Sequence, residues 1–208
     1  MPRKKRPLDR DGGIVRDASL MVIASEDTYA VKVYFSRFRT RQVQFRVLST
    51  EDGKSSPKDV VDRLNEFKKE FQTLDGDQFW YCGDLDHWAQ SGHIANFTEA
   101  LRLCRQADYH IAISNPCFEL WLLLHFADLD ASHSAKCADV EAQLSANANG
   151  YSKRIGCMAA ISPEMVHDAI RRSKALDVTP ADVIPQVPTT RVYLIVEELL
   201  KRDSIDLI

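Results

Sequence analysis

No C-x-x-C spacing occurs among the five cysteines, Cys82, Cys104, Cys117, Cys137 and Cys157. That argues against a zinc site built from paired cysteines and against a disulfide framework, and leaves buried free thiols in a reducing cytoplasm as the expectation. No stretch approaches the ~20 apolar residues of a membrane span, and the apolar run Leu120 to Leu124 stops at His125. The N-terminus has a basic start with no apolar segment behind it, so no secretory signal is read. There is no G-x-x-x-x-G-K loop and no dinucleotide fingerprint, so the chain is not expected to bind and hydrolyse ATP itself. No convincing Ser-His-Asp arrangement and no internal repeat is found.

What the chain does have is a core. It holds 208 residues, 45% hydrophobic and 27% charged, which is the composition of a globular domain. The net charge of −3 hides a basic start: Arg3, Lys4, Lys5, Arg6, Arg10 and Arg16 stand against Asp9 and Asp11. Residues 1–17 are therefore read as an arm, either contacting phosphate backbone or merely solvated.

Beyond the arm, strand and helix patterns alternate. Ser19 to Ser25 is an uninterrupted apolar strand. Tyr29 to Thr40 reads as a helix with Val31, Phe35 and Phe38 on one face. Val43 to Leu48 alternates with period two. Glu51 to Lys54 is a turn, and Ser56-Pro57 opens a helix with Pro57 at its first position. Gln78 to Gly83 is an aromatic-rich strand behind an Asp-Gly-Asp cluster. Ile94 to Gln106 is a helix, Tyr109 to Ser114 a strand, and Pro116 to Phe126 a heavily apolar helix. This alternation predicts an α/β fold with a mostly parallel sheet flanked by helices, over residues 18–128. Residues 129–208 are read as a helical C-terminal portion packed on that core. Ala131 to Gly150 is helical at most in part, Pro163 to Ala175 is a helix, and Thr189 or Thr190 caps a last helix.

The chemistry gathers at two strand ends. Asp84-Leu85-Asp86-His87 follows the aromatic strand, and carboxylates at i and i+2 leave a strand on one side. Glu26 stands at the end of the first strand. Three carboxylates at the carboxyl ends of strands in an open α/β sheet lie where such sheets place ligands. Either they hold a hard cation such as Mg²⁺ (or Mn²⁺), or the aspartates cap the following turn. A second cluster runs Ser114-Asn115-Pro116-Cys117-Phe118-Glu119-Leu120-Trp121-Leu122-Leu123-Leu124-His125-Phe126. Glu119 either closes a capping box at the helix start or joins Asn115 and His125 in reaching the metal, its waters or the substrate. Lys153 either contacts a substrate phosphate beside Arg154 or is a solvated surface lysine. Arg171, Arg172 and Lys174 form a basic helix face that tracks nucleic acid or is simply solvated.

That second cluster closely resembles the signature of RloB-like (AbiLii-type) abortive-infection proteins. Glu26 with Tyr34-Phe35 resembles the family's first acidic motif, and Asp84-Leu85-Asp86 its second. Tyr151-Ser152-Lys153 and Pro188-Thr189-Thr190-Arg191-Val192-Tyr193 resemble its C-terminal features. The family is similar to the Toprim (Rossmann-like) fold. The resemblance implies a Mg²⁺-dependent nuclease in antiphage defence, with Glu26, Asp84 and Asp86 on the metal and Glu119 and Lys153 as further catalytic residues. It also implies substrate contacts from Asn115, His125, Lys153 and Arg154, and an ABC-type ATPase as regulator. By analogy with other ATPase-paired Toprim effectors, the target is RNA, tRNA included, rather than DNA. The chain departs from the family where a glycine usually follows the first glutamate: Asp27 stands there, and Ala30-Val31 replaces a common Thr-Glu pair. Asp27 either adds a ligand or caps a helix.

Overall fold

A computed structural model describes residues 18–50, 53–89, 93–130, 132, 136–157, 159–203, 206 and 207. The basic arm and the first two residues of the Glu51 to Lys54 turn lie outside them. The elements run β1 (Ser19–Ser25), α1 (Ala30–Phe35), β2 (Phe38–Arg39), β3 (Val43–Leu48), α2 (Pro57–Glu70), β4 (Gln78–Asp84), α3 (Ile94–Gln106), β5 (His110–Asn115) and α4 (Glu119–Leu123). They continue with α5 (Cys137–Asn147), β6 (Tyr151–Ser152), β7 (Gly156–Cys157), α6 (Pro163–Leu176), β8 (Thr189–Thr190), α7 (Val192–Arg202) and β9 (Asp206–Leu207).

The expected α/β architecture is present. One sheet runs β3-β1-β4-β5-β8, with β3, β1, β4 and β5 parallel and β8 antiparallel on the edge. Alternation along β1 divides the core between the two faces. Met21 and Ile23 meet α1, α4, α6 and α7 on one side; Leu20, Val22 and Ala24 meet α2 and α3 on the other. The chain leaves β1 for β3 through α1, then passes back beyond β1 to β4 through α2, on the opposite face. Direction and face reverse together, which keeps one crossover hand. The switch point of the sheet therefore lies between β1 and β4, where α/β sheets open a crevice at their carboxyl ends.

Local chemistry explains several boundaries. Ser56 and Asp59 close a capping box on α2 ahead of Pro57, satisfying orphan N–H groups at both positions. Helix α1 is shorter than the expected Tyr29 to Thr40. The Ser36 hydroxyl donates back to the Val33 carbonyl at 2.8 Å, and Phe38-Arg39 then pairs antiparallel with Asp206-Leu207. Phe38 stays buried, but in a strand. The helix expected from Pro116 to Phe126 is α-helical only over Glu119–Leu123. It tightens into i→i+3 bonds, Phe126 N–H to Leu123 O at 2.8 Å, as helix ends often do. Thr189 and Thr190 form strand β8 opposite Asn115 and Ser114. Thr190 also accepts from the Val192 N–H at 3.4 Å, at the start of α7.

One cysteine expectation fails. Cys117 and Cys137 are disulfide-bonded with Cα atoms 5.6 Å apart, whereas Cys82, Cys104 and Cys157 are free and buried. Folding of α5 onto α4 brings together thiols 20 residues apart that no spacing rule pairs.

Candidate functional site

Glu26 follows β1 directly, and its backbone is fixed from the side. Thr50 donates its hydroxyl to the Glu26 carbonyl at 2.7 Å, and Arg63 donates to the Ser25 carbonyl. The Glu26 carboxylate turns towards β4. Oε1 accepts the Asp84 N–H at 2.6 Å and Oε2 accepts the Trp88 indole N–H at 2.7 Å. A carboxylate at one strand end is thus tied to the acidic turn of the next strand.

That turn is held from its other side as well. The Leu85 N–H donates to the Ser114 carbonyl at 2.9 Å, and the Leu85 and Asp86 N–H groups both reach the Pro116 carbonyl at 3.1 Å. The turn then folds back, with Trp88 N–H to Leu85 O at 2.9 Å, which brings the indole over Glu26. Gly83, just before Asp84, leaves room for the buried Tyr81 ring: a Cβ there would stand 2.5 Å from it. Asp84 is half-buried and Asp86 exposed.

The electrostatics follow from the crowding. Burial pushes the Glu26 carboxyl up to about 7, against the lowering effect of its bonds to Trp88 and Asp84, with Asp86 and Asp27 adding repulsion. Asp84 lies well above the ordinary carboxylate range, first from burial, then from Glu26, Glu119, Asp27 and Asp86. The four largest charge contributions are all from carboxylates. Among the described residues, none donates a hydrogen bond to the Asp84 carboxylate, so the capping role open to it in the sequence is not taken up.

Asp27 does cap. Its Oδ1 accepts from the Tyr29 N–H at 2.6 Å and from the Ala30 N–H at the start of α1.

Glu119 makes no side-chain cap on α4. It is 1% exposed and points across to the β6–β7 hairpin. Its Oε1 accepts from the Tyr151 hydroxyl at 2.9 Å and faces Lys153 Nζ at 3.2 Å. Burial raises the Glu119 pKa, opposed chiefly by Lys153. Lys153 also pairs with Glu141 at 3.0 Å. Burial works against its charge, but Glu119 and Glu141 hold its pKa above the ordinary value. Lys153 is therefore an exposed surface lysine that is also ion-paired. Next to it, the Arg154 guanidinium lies over the exposed Tyr29 ring, 5.2 Å from its centroid. Gly156, at φ +87°, closes this hairpin against Arg37 and Val33.

Two expected site residues are employed elsewhere. The Asn115 amide donates to the Pro185 and Val187 carbonyls at 3.1 and 3.2 Å, anchoring the proline-rich loop before β8. His125 is 2% exposed. Its Nδ1 donates to the Trp121 carbonyl at 2.9 Å, leaving Nε2 to accept the Tyr34 hydroxyl at 3.1 Å. Aromatic rings surround it, and burial pushes its pKa down to about 4. It is a neutral core histidine. The basic face of α6 is likewise occupied: Arg171 pairs with Asp168, Arg172 with Asp128 and Lys174 with Glu197.

The structure therefore joins Glu26, Asp84, Asp86 and Glu119 in one electrostatic cluster, with Lys153 on its Glu119 side. The donor set fits a hard cation in kind: oxygen ligands only, mutual repulsion and an undonated carboxylate on Asp84. The set is open rather than contracted. Among the described residues, the group whose ligand atoms all lie within 4.8 Å of one another is instead Cys117, Glu119 and Cys137. Sequence reasoning missed Trp88 as a partner of Glu26 and Tyr151 as a partner of Glu119. An indole two residues beyond a D-x-D carried no local signal of that role.

A family model described as RloB-like protein matches residues 21–199. No curated protein and no solved structure matches the chain. The matched span runs from β1 through α7 and includes every strand end that builds the site. The chain belongs to the RloB-like protein family.

Proposed function

We propose that this chain is a divalent-metal-dependent nuclease effector of Toprim type, cutting RNA in an abortive-infection response under the control of an ABC-type ATPase. The RloB-like family is associated with such defence systems. One observation carries the chemical reading: at the switch point of the sheet, Glu26 and Asp84 converge from neighbouring strands, the Glu26 carboxylate accepting the Asp84 N–H, with both carboxyls raised first by burial and then by neighbouring carboxylates. Carboxylates so placed are costly without a cation and are a recurrent mark of functional sites.

Glu26, Asp84 and Asp86 would hold Mg²⁺ or Mn²⁺. When bound, such an ion polarises a phosphoryl oxygen and stabilises the leaving oxygen. The chain's own groups do the rest. Trp88 and the Asp84 N–H fix the orientation of Glu26. Tyr151 and Glu119 hold Lys153 at the rim, where its ammonium meets a substrate phosphate. Arg154 on Tyr29 adds a second cationic contact. Described helices include none long and apolar enough to cross a membrane.

A second reading, binding without turnover, draws on Asp27. Its carboxylate serves the start of α1 and adds negative charge beside Glu26. The two readings separate in one assay. Total RNA, tRNA and plasmid DNA are incubated with Mg²⁺ or Mn²⁺ and the wild type or the folded Asp84→Ala/Asp86→Ala variant, with and without the ATPase. Cutting of RNA by the wild type alone is expected. Metal binding with no cleavage under any condition would establish the second reading.

A further inference from the structure

We infer that the chain carries a second, soft-metal site, formed by Cys117, Cys137 and Glu119 when their disulfide is reduced. This site goes beyond the hard carboxylate cluster at Glu26 and Asp84 and takes a different class of ion, Zn²⁺ or its spectroscopic stand-in Co²⁺. Three observations converge on it. The two sulfurs and one Glu119 oxygen already lie within 4.8 Å of one another. They come from separate places: the turn before α4, the first residue of α5 and the first residue of α4. The Glu119 carboxylate is also divided between two neighbourhoods. Oε1 is engaged by Tyr151 and Lys153, whereas Oε2 faces Cys137 Sγ at 3.5 Å. A bridged sulfur has no hydrogen to donate to it. The tight S–S–O grouping thus acquires its full donor character only after reduction.

The ligand set is one zinc accepts: two thiolates and a carboxylate, with the fourth tetrahedral position left to water. Lys153, already 3.2 Å from Oε1, offsets the excess negative charge of two thiolates and one carboxylate around a divalent ion. Glu141 Oε1, 3.6 Å from Cys137 Sγ, flanks the site. The reaction balances with a dithiol as reductant. The dithiol gives two electrons and two protons to the Cys117–Cys137 bridge and becomes a cyclic disulfide. The two protein thiols then release two protons as the metal binds. Because Glu119 also anchors Lys153, occupation of this site reaches the rim of the carboxylate cluster.

The test is a Co²⁺ titration of the whole chain, compared in its bridged and reduced states. The protein is reduced with dithiothreitol and freed of reductant without air. The reduced wild type is expected to develop a thiolate-to-cobalt charge-transfer band and the intense visible bands of tetrahedral cobalt, whatever cobalt the carboxylate cluster also takes up, and added Zn²⁺ removes both. The bridged wild type is expected to show no charge-transfer band. Cys137→Ser loses the band, while Cys157→Ser, which removes a free buried thiol elsewhere, keeps it. Absence of the band from the reduced wild type overturns the inference without recourse to any variant, and so does its survival in Cys137→Ser. Binding at the carboxylate cluster gives no thiolate band, so failure of either site is read separately.

Discussion

Replacing Glu26 by Gln should change how stability depends on pH, and the size follows from the site. In the folded chain Glu26 stands at about 7, against an ordinary 4.5. The folded state therefore holds the Glu26 proton across a window in which the unfolded chain has lost it. Stability must fall as pH rises through that window. At roughly 1.4 kcal/mol per pH unit, the full loss is about 3 kcal/mol. Glutamine carries no charge and lacks this slope. It keeps one carbonyl oxygen for two donors, the Asp84 N–H and the Trp88 indole, a pH-independent cost of about 1–2 kcal/mol. In EDTA, Glu26→Gln should be less stable than wild type near pH 4.5 and more stable by about 1–2 kcal/mol at pH 8. Relief of Asp84, which Glu26 repels, acts in the same direction. Urea unfolding of both proteins at pH 4.5, 6, 7 and 8 gives the difference directly and cancels the other titrating groups. A difference that stays flat from pH 4.5 to 8 would refute the reasoning.

Other perturbations probe the frame around the site. Arg191 is 6% exposed, forks onto Asp177 at 2.9 and 3.0 Å and donates to the Thr179 and Val183 carbonyls of the proline-rich loop. Arg191→Leu strands a buried carboxylate and should cost about 3–5 kcal/mol in urea unfolding, with Asp177→Asn partly rescuing it; a loss under ~1 kcal/mol would show the clamp to be weak. His125, held at about 4 against an ordinary 6.5, stays neutral in the folded chain while the unfolded chain takes up a proton. Its contribution is complete above pH 6.5 and should fall by about 3 kcal/mol as pH drops through 4. His125→Gln should remove that acid sensitivity, read as the wild-type-minus-variant difference.

Some of this was readable in the sequence because its causes are local. The apolar run of β1, the aromatic run of β4 and the face of α3 bury what their patterns mark for burial, and Glu26 and Asp84 lie at strand ends because the strands stop there. The parts that escaped depend on distant partners. Phe38 leaves its helix to pair with Leu207. Thr189 and Thr190 become a strand because β5 presents a free edge. Asn115 and His125 carry site-like chemistry in a site-like motif, but one is spent on loop carbonyls and the other on Tyr34. The Cys117–Cys137 bridge spans 20 residues and needs α5 folded on α4. Such pairings are set by tertiary packing, which periodicity does not encode.

The central claim is that Glu26, Asp84 and Asp86 hold a divalent cation, and calorimetric titration with Mn²⁺ tests it most directly. The disulfide is left intact so that only the oxygen site is open, and wild type is compared with a folded Asp84→Asn variant. The account predicts saturable binding by the wild type, accompanied by release of the Glu26 proton near pH 6 that fades by pH 8 because Glu26 stands at about 7, and loss of that binding in the variant. Binding of equal strength in both proteins, or none in the wild type, would contradict it.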